Sequence, residues 1–334
     1  MAGEDLLGLC IPKKFGGRGK NLRALSIAGE ALVSSGYNVG ITLSWLIHQM
    51  TARLFISRYG TKGKQDLYLP PMARGEITAS FALSEPEYGS HPGHLKTSAE
   101  RKGDCFVLNG EKSYLTNGPI ADLFIVVAVT GIETGRKCFT AFLVPADAQG
   151  LQRTKPLRFP FLRPSPHGGI KLKNCSVPFS SIIGAEGSAY EEMAIPFRVK
   201  EDVLLMGPMA GGMAGQLALL VEAVKKEKKG IDNNCAADLG ELRMTVDTLR
   251  ILAYEAASIL DSGTTHAELL SLTLFFRKVS EEFQEKFASV RSGVSGAEGN
   301  ALDILTKDLV GILSIAGDIA AIKKRKLGES ILSL

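Results

Sequence analysis

Apolar positions change their spacing twice along the chain, and the changes divide it into three zones. Up to about residue 75 they recur at helical intervals, as in Leu25-Ala28-Leu32 and Ile47-Ala52-Phe55. Gly16-Gly17-Arg18-Gly19 and Tyr59-Gly60 separate those helices. From about 78 to 192 short runs rich in β-branched and aromatic residues take over: Phe106 to Leu108, Phe124 to Val129, Phe139 to Val144 and Ile170 to Leu172. Asn109-Gly110, set between Cys105–Leu108 and Lys112–Thr116, predicts a two-residue hairpin link. After about 195 four long helical segments follow, near 197–229, 236–262, 266–291 and 302–333. A capping box from Thr265 to Glu268 opens the third, whose buried stripe runs Leu269, Leu272, Phe276, Val279, Phe283, Phe287 and Val290. Four such helices with short links make a bundle. The expected fold is α+β: an N-terminal helical domain over 1–76, a middle β-sandwich or barrel domain over 77–194, and a C-terminal four-helix bundle over 195–334.

Composition narrows the partners. The net charge of +4 is small and dispersed, which gives no case for nucleic-acid binding. Lys225 to Lys229 and Lys323 to Lys326 form basic runs that read as helix ends favoured by the C-terminal dipole. Cys10, Cys105, Cys138, Cys175 and Cys235 are scattered without a CxxC pair, so free thiols in a reducing compartment are expected, with no metal site. The opening MAGEDLLGLC lacks a signal-peptide layout, and the expected location is cytoplasmic. Val203 to Val221 is long enough to span a membrane, but Gly207, Pro208, Gly211, Gly212, Gly215 and Gln216 suit a buried helix in close contact with a neighbour. No membrane association is expected.

Candidate chemistry concentrates between Phe81 and Gly118. Hydroxyls (Ser84, Ser90, Thr116) and aromatic rings (Phe81, Tyr114) gather there at strand ends, as a flat, heteroatom-rich ring system would require. An ordinary hairpin with a capped loop would look much the same.

Here the residues resemble a family, the acyl-CoA dehydrogenases. The resemblance rests on Gly8 to Pro12 with Phe15 to Gly19, Tyr59 to Thr61, Leu69-Pro70-Pro71, Gly75-Glu76, Ala82 to Ser90, Leu108 to Lys112, Tyr114 to Asn117, Val177-Pro178 and Ile183-Gly184. It covers nearly the whole chain, although the family's first two helices have no counterpart. It implies FAD bound between the β-domain and the bundle, with Phe81, Leu83, Ser84, Tyr114 and Thr116 lining the flavin ring. Gly89 and Ser90 would lie near the cofactor and the thioester. The substrate would be an acyl thioester, on coenzyme A or an acyl-carrier protein. The implied acceptor is an electron-transfer flavoprotein, and the implied assembly a homodimer or homotetramer.

Desaturating a thioester needs a carboxylate at the α-carbon while hydride leaves the β-carbon. At the family's usual glutamate position this chain has Gly317, which cannot take a proton. In one branch, the isovaleryl- and long-chain-type enzymes, the glutamate stands at the start of the first bundle helix, and Glu201 occupies that place. A glutamate favoured by the helix dipole is the plainer explanation; Asp318 is a fallback candidate. On the dinucleotide side the pattern departs. Lys226 stands for an arginine that reaches the neighbouring subunit's cofactor, Lys229 for a phenylalanine, and Glu298 falls near the expected phosphates. His91, Tyr88, His94 and Asp202 also differ from the family's pattern. An active flavin dehydrogenase is the favoured reading. A cofactor-poor subunit of a mixed assembly, a thioester-binding protein without redox activity and a flavin monooxygenase-type relative stay open.

Overall fold

Helices open the chain for local reasons. A computed structural model describes residues 4–226, 233–263, 266–294, 297, 299–315 and 317–332. Helix α1 (Leu22–Gly36) starts where the Asn21 side chain accepts the Ala24 N–H at 2.9 Å and stops at Tyr37 in the left-handed region. Helix α2 (Val39–Met50) runs into a π-helical stretch, Thr51–Ile56, and then α3 (Ser57–Tyr59). Helix α4 (Lys62–Arg74) is capped by Thr61 and closed by Gly75 at φ +78°.

The β-rich zone forms eight strands: β1 (Ala79–Ala82), β2 (Ser98–Lys102), β3 (Cys105–Thr116), β4 (Leu123–Glu133), β5 (Arg136–Pro145), β6 (Leu151–Arg153), β7 (His167–Pro178) and β8 (Ile182–Ile183). They join one sheet in the order β6-β7-β3-β2-β4-β5-β8, with β1 parallel beside β4. Alternate residues of distant strands (Phe106, Leu108, Phe124, Val126, Phe142, Val144, Ile170, Leu172) pack in one core, so the sheet folds over on itself. The predicted hairpin link at Asn109-Gly110 is overturned. β3 runs straight through it, and the turn lies at Gly103-Asp104, between the paired Lys102 and Cys105. Asn109-Gly110 instead marks a bulge, where the β3–β7 register shifts between Leu108 and Gly110. Gly110 has φ +149°, and a Cβ there would lie 2.5 Å from Thr97 Oγ1, so the backbone position is one that glycine fills.

The last zone gives α5 (Ile195–Lys226), α6 (Asn233–Ser262), α7 (His266–Ser292), α8 (Asn300–Ser314) and α9 (Gly317–Leu332). Five of the seven expected stripe residues on α7 are buried, and Leu272 and Val279 are half-buried. Thr265 of the expected capping box lies outside the described residues. Two expectations need correction. The helix drawn over 302–333 is broken after Ser314, where Arg277 of α7 donates to the Leu313 and Ile315 carbonyls and so satisfies the end of α8. The run Lys323–Lys326 sits in the middle of α9 rather than at its end, and Lys323 pairs with Asp202 at 2.6 Å. None of the five cysteines is in a disulfide. The helical run Tyr190–Lys226 has a window apolar enough to cross a membrane, yet 78% of that window is buried within the protein.

Two compact units interleave along the chain. One comprises Met1–Lys20, Ser44–Phe159 and Pro164–Arg198; the other comprises Asn21–Leu43, Pro160–Arg163 and Val199–Leu334. The first holds the sheet. In the second, α1 packs on α6 and lies against glycines of α5: a Cβ on Gly207 would stand 2.4 Å from Ser26 O, and one on Gly211 2.3 Å from Glu30 O. Arg250 meets the buried Glu30 at 2.7 Å in the same unit. Burial raises the Glu30 pKa more than the Arg250 guanidinium lowers it.

Candidate functional site

The sheet unit gathers most of the residues singled out from sequence. β1 ends at Ala82, and the loop that follows returns to β2 at Ser98. Its two ends are drawn together by one carboxylate. Glu85 accepts the Lys96 and Thr97 N–H groups at 2.7 and 2.9 Å and the Lys112 ammonium at 2.9 Å. Lys112 has no solvent exposure and also donates to the Leu83 carbonyl at 2.9 Å. One ammonium therefore holds the residues on either side of Ser84. Ser113 N–H closes the arrangement by donating to Ser84 O at 2.8 Å. Burial pushes the Glu85 carboxyl up, but Lys112 and the two loop hydrogen bonds outweigh it, leaving the carboxyl below its ordinary range. Lys112 moves the other way: burial lowers it to about 8, against the pull of Glu85. The two directions differ because Glu85 also receives two N–H groups, whereas Lys112 has lost all its water; the ion pair stands at neutral pH.

Around this anchor, Phe81 is half-buried and packs on Phe55 (ring centroids 4.6 Å apart) and Phe197 (4.8 Å). Phe55 arrives from the π-helical stretch, a local irregularity of the kind that re-aims side chains at functional sites. Leu83 is buried. Gly89, at φ +59°, pairs with Glu85 through both backbone groups (2.7 and 3.1 Å). Ser90 is fixed by Arg198, which donates to its carbonyl at 2.9 Å and contacts its hydroxyl, and by the Tyr190 hydroxyl at 3.2 Å. Tyr114 has φ +62°, and its ring is thrown outward, 53% exposed. Thr116 is half-buried; its hydroxyl lies 3.2 Å from His167 Nε2, and its carbonyl accepts from Ser80 at 2.7 Å.

Phe81, Leu83, Ser84, Gly89, Ser90, Tyr114 and Thr116 thus lie on β1, its following loop and the end of β3. Among the described residues the Ser84 hydroxyl has no protein partner. An outward aromatic ring and a hydroxyl near the end of β3, with a partnerless hydroxyl on the loop after β1, form a hydrogen-bonding set that fits the edge and face of a flavin ring. On the exposed side of this loop Tyr88 stacks on His94 with centroids 4.4 Å apart, and His91 meets His94 at a tilt, 4.9 Å apart.

Glu201 and Lys226 belong to the other unit. Glu201 is the seventh residue of α5 and half-buried, so it stands beyond the first turn, and the dipole explanation for a glutamate there lapses. Lys226 is exposed at the end of α5. Lys229, Glu298 and the Asp318 side chain lie outside the described residues. Lys112 and Asn117 stand within the sequence motifs without an assigned task, and Arg198 and His167 stand outside them. Asn117 is buried and exchanges hydrogen bonds with Ser44 (2.5 and 2.9 Å), pinning the end of β3 to α2. Arg198, one turn before Glu201, offered a weak signal; His167 offered none.

Comparison with known proteins bears on the same segments. Sequence models of the acyl-CoA dehydrogenase N-terminal domain and middle domain match residues 1–76 and 80–175. The chain is 30% identical over 270 residues to an L-prolyl-[peptidyl-carrier protein] dehydrogenase of Pseudomonas fluorescens, covering 79% of this chain and 71% of that protein. It is 31% identical over 284 residues to a 3-(aryl)acrylate reductase of Clostridium sporogenes, covering 83% and 74%. A solved FAD complex of PigA superposes with a TM-score of 0.86 at 23% identity, covering 98% of this chain and 88% of that one.

Proposed function

The chain belongs to the acyl-CoA dehydrogenase family, and from that premise we propose that it binds FAD and removes the α- and β-hydrogens of an acyl thioester. The observation that carries the cofactor half is the side-chain set on β3 and the loop after β1: the outward Tyr114 ring with the Thr116 and Ser84 hydroxyls. FAD, when bound, supplies the two-electron acceptor that no side chain can provide. The protein's part is placement. Phe81 and Leu83 give an apolar wall that excludes water, while Ser84 and Thr116 orient the ring edge. Gly89 and Ser90 form the loop beside the reacting carbons, stiffened by Arg198. Glu201 takes the α-proton on its carboxylate; an apolar substrate beside it would raise its affinity for that proton.

The reading extends to features that rest on family likeness alone. Lys226 serves the cofactor of a neighbouring subunit in a homodimer or homotetramer, and electrons leave to an electron-transfer flavoprotein; work in the cytoplasm rests instead on the scattered free cysteines. The relatives' names cover a carrier-bound prolyl group and an arylacrylate, so the proposal stops at the acyl-thioester class.

The test is purification followed by substrate-induced bleaching. A yellow protein that bleaches with an acyl thioester is expected, and Glu201→Gln should lower turnover at least a thousandfold while FAD stays bound. An unchanged rate removes Glu201 from the mechanism. A colourless protein that cannot be reconstituted favours the cofactor-poor subunit instead.

A further inference from the structure

Thr116 and His167 are paired at the end of the β3–β7 ladder. Nδ1 of His167 lies 3.0 Å from the Ser165 carbonyl oxygen, and Nε2 lies 3.2 Å from Thr116 Oγ1. A carbonyl oxygen can only accept, so Nδ1 must carry a hydrogen. The residue is 8% exposed, with Phe159 packed against its ring in a T-shaped pair, centroids 5.2 Å apart. Burial lowers the imidazole's pKa below its ordinary 6.5, against the opposing pull of the Ser165 carbonyl. At neutral pH the ring therefore holds a single proton, on Nδ1. Nε2 is left as a bare lone pair, and the hydrogen between it and Thr116 comes from the threonine. The side of the Thr116 hydroxyl that faces away from His167 then offers lone pairs alone.

We infer that His167 fixes Thr116 as an acceptor-only hydroxyl, so that this strand end favours the flavin state whose ring edge presents an N–H, the reduced one. The inference rests on the FAD reading above, because it needs Thr116 to meet the ring. An oxidised flavin offers a bare ring nitrogen that a hydroxyl proton would satisfy; the reduced ring offers a hydrogen instead. With its proton committed to His167, Thr116 serves the second and not the first. His167 is thus a positioning residue that acts through Thr116 and pulls the equilibrium in the direction of substrate oxidation.

Two measurements test it. The first, a long-range proton–nitrogen correlation spectrum of the imidazoles at pH 7, is read with or without FAD. The Nδ1–H tautomer of His167 is expected; an Nε2–H tautomer or a doubly protonated ring overturns the inference. The second is the midpoint potential of bound FAD. His167→Phe keeps the ring volume but removes the acceptor. It should shift the reduced-to-oxidised ratio about tenfold toward oxidised, about 30 mV for a two-electron couple. His167→Gln, whose side-chain oxygen can still accept, should restore the wild-type potential, and in a Thr116→Val background His167→Phe should change nothing further. Equal potentials in the wild type and the Phe variant, or a Gln variant shifted as far as Phe, overturn it. A protein that takes up no FAD sinks the proposed function and the flavin preference with it, whereas a wrong tautomer in a protein that binds FAD overturns the inference alone.

Discussion

Lys112 is an ammonium without water, held by the Leu83 carbonyl and Glu85. Removing the negative partner strands the charge. Glu85→Gln should cost about 3 kcal/mol in stability at pH 7, measured by denaturant unfolding. The sign with pH follows from Lys112, whose folded pKa of about 8 lies below its ordinary 10.5. Stability from that group rises as pH climbs from about 8 toward 10.5 and is absent below. The penalty of Glu85→Gln should therefore shrink with rising pH, and a penalty flat from pH 7 to 10 would contradict the assignment. Glu85 runs the opposite course: its carboxyl is held low, so its contribution is present above the ordinary carboxylate range and is lost as pH falls through its folded pKa. Little of this was legible in the sequence. A lysine in an alternating strand reads as outward-facing, and only the folded loop shows that its carbonyl and carboxylate partners lie beneath it. The hydroxyls and rings between Phe81 and Thr116 were legible because their residue types cluster in sequence; Arg198 and His167 act across 108 and 51 positions, which no local pattern records.

Elements show where local signals are ambiguous. Asn-Gly is favoured both in a two-residue hairpin link and at a bulge, since each needs a backbone that glycine adopts readily. The sequence could not choose between them, and β3 emerged as one strand carrying Lys112 and Thr116 together. Helix α5 is the reverse case. Its glycines foretold a close approach, and Gly207 and Gly211 meet the backbone of α1. Gly211→Ala should cost about 2 kcal/mol or more by forcing α1 away, read as a drop in melting temperature, whereas Gly240→Ala in α6, where nothing stands within 4 Å, should be neutral or slightly stabilising. Equal effects would mean that the contact does not constrain the helices. The break between α8 and α9 was illegible for a plain reason: the guanidinium that ends α8 comes from α7.

At the scale of the whole molecule, the change of texture near residue 78 and again near 195 was readable from periodicity alone. Which neighbours each helix keeps was not. Helix α1 precedes the sheet in the chain yet belongs to the unit completed by α6, and the ion pair from Glu30 to Arg250 joins the same two elements. A fragment ending at Arg198 would leave Leu22, Leu25 and Val33 of α1 without that partner. It should melt without a sharp transition and expose apolar surface to a reporter dye; a cooperative melt would show that α1 is stable in other company.

The crossing of the chain between units also bears on synthesis. Some 200 residues separate the end of α1 at Gly36 from the start of α6 at Asn233. At typical elongation rates of roughly 5 to 20 residues per second, an amphipathic helix waits tens of seconds on the ribosome before its cover is made. Until α5 and α6 emerge, the apolar face of α1 stays uncovered, and the nascent chain carries a sticky helix.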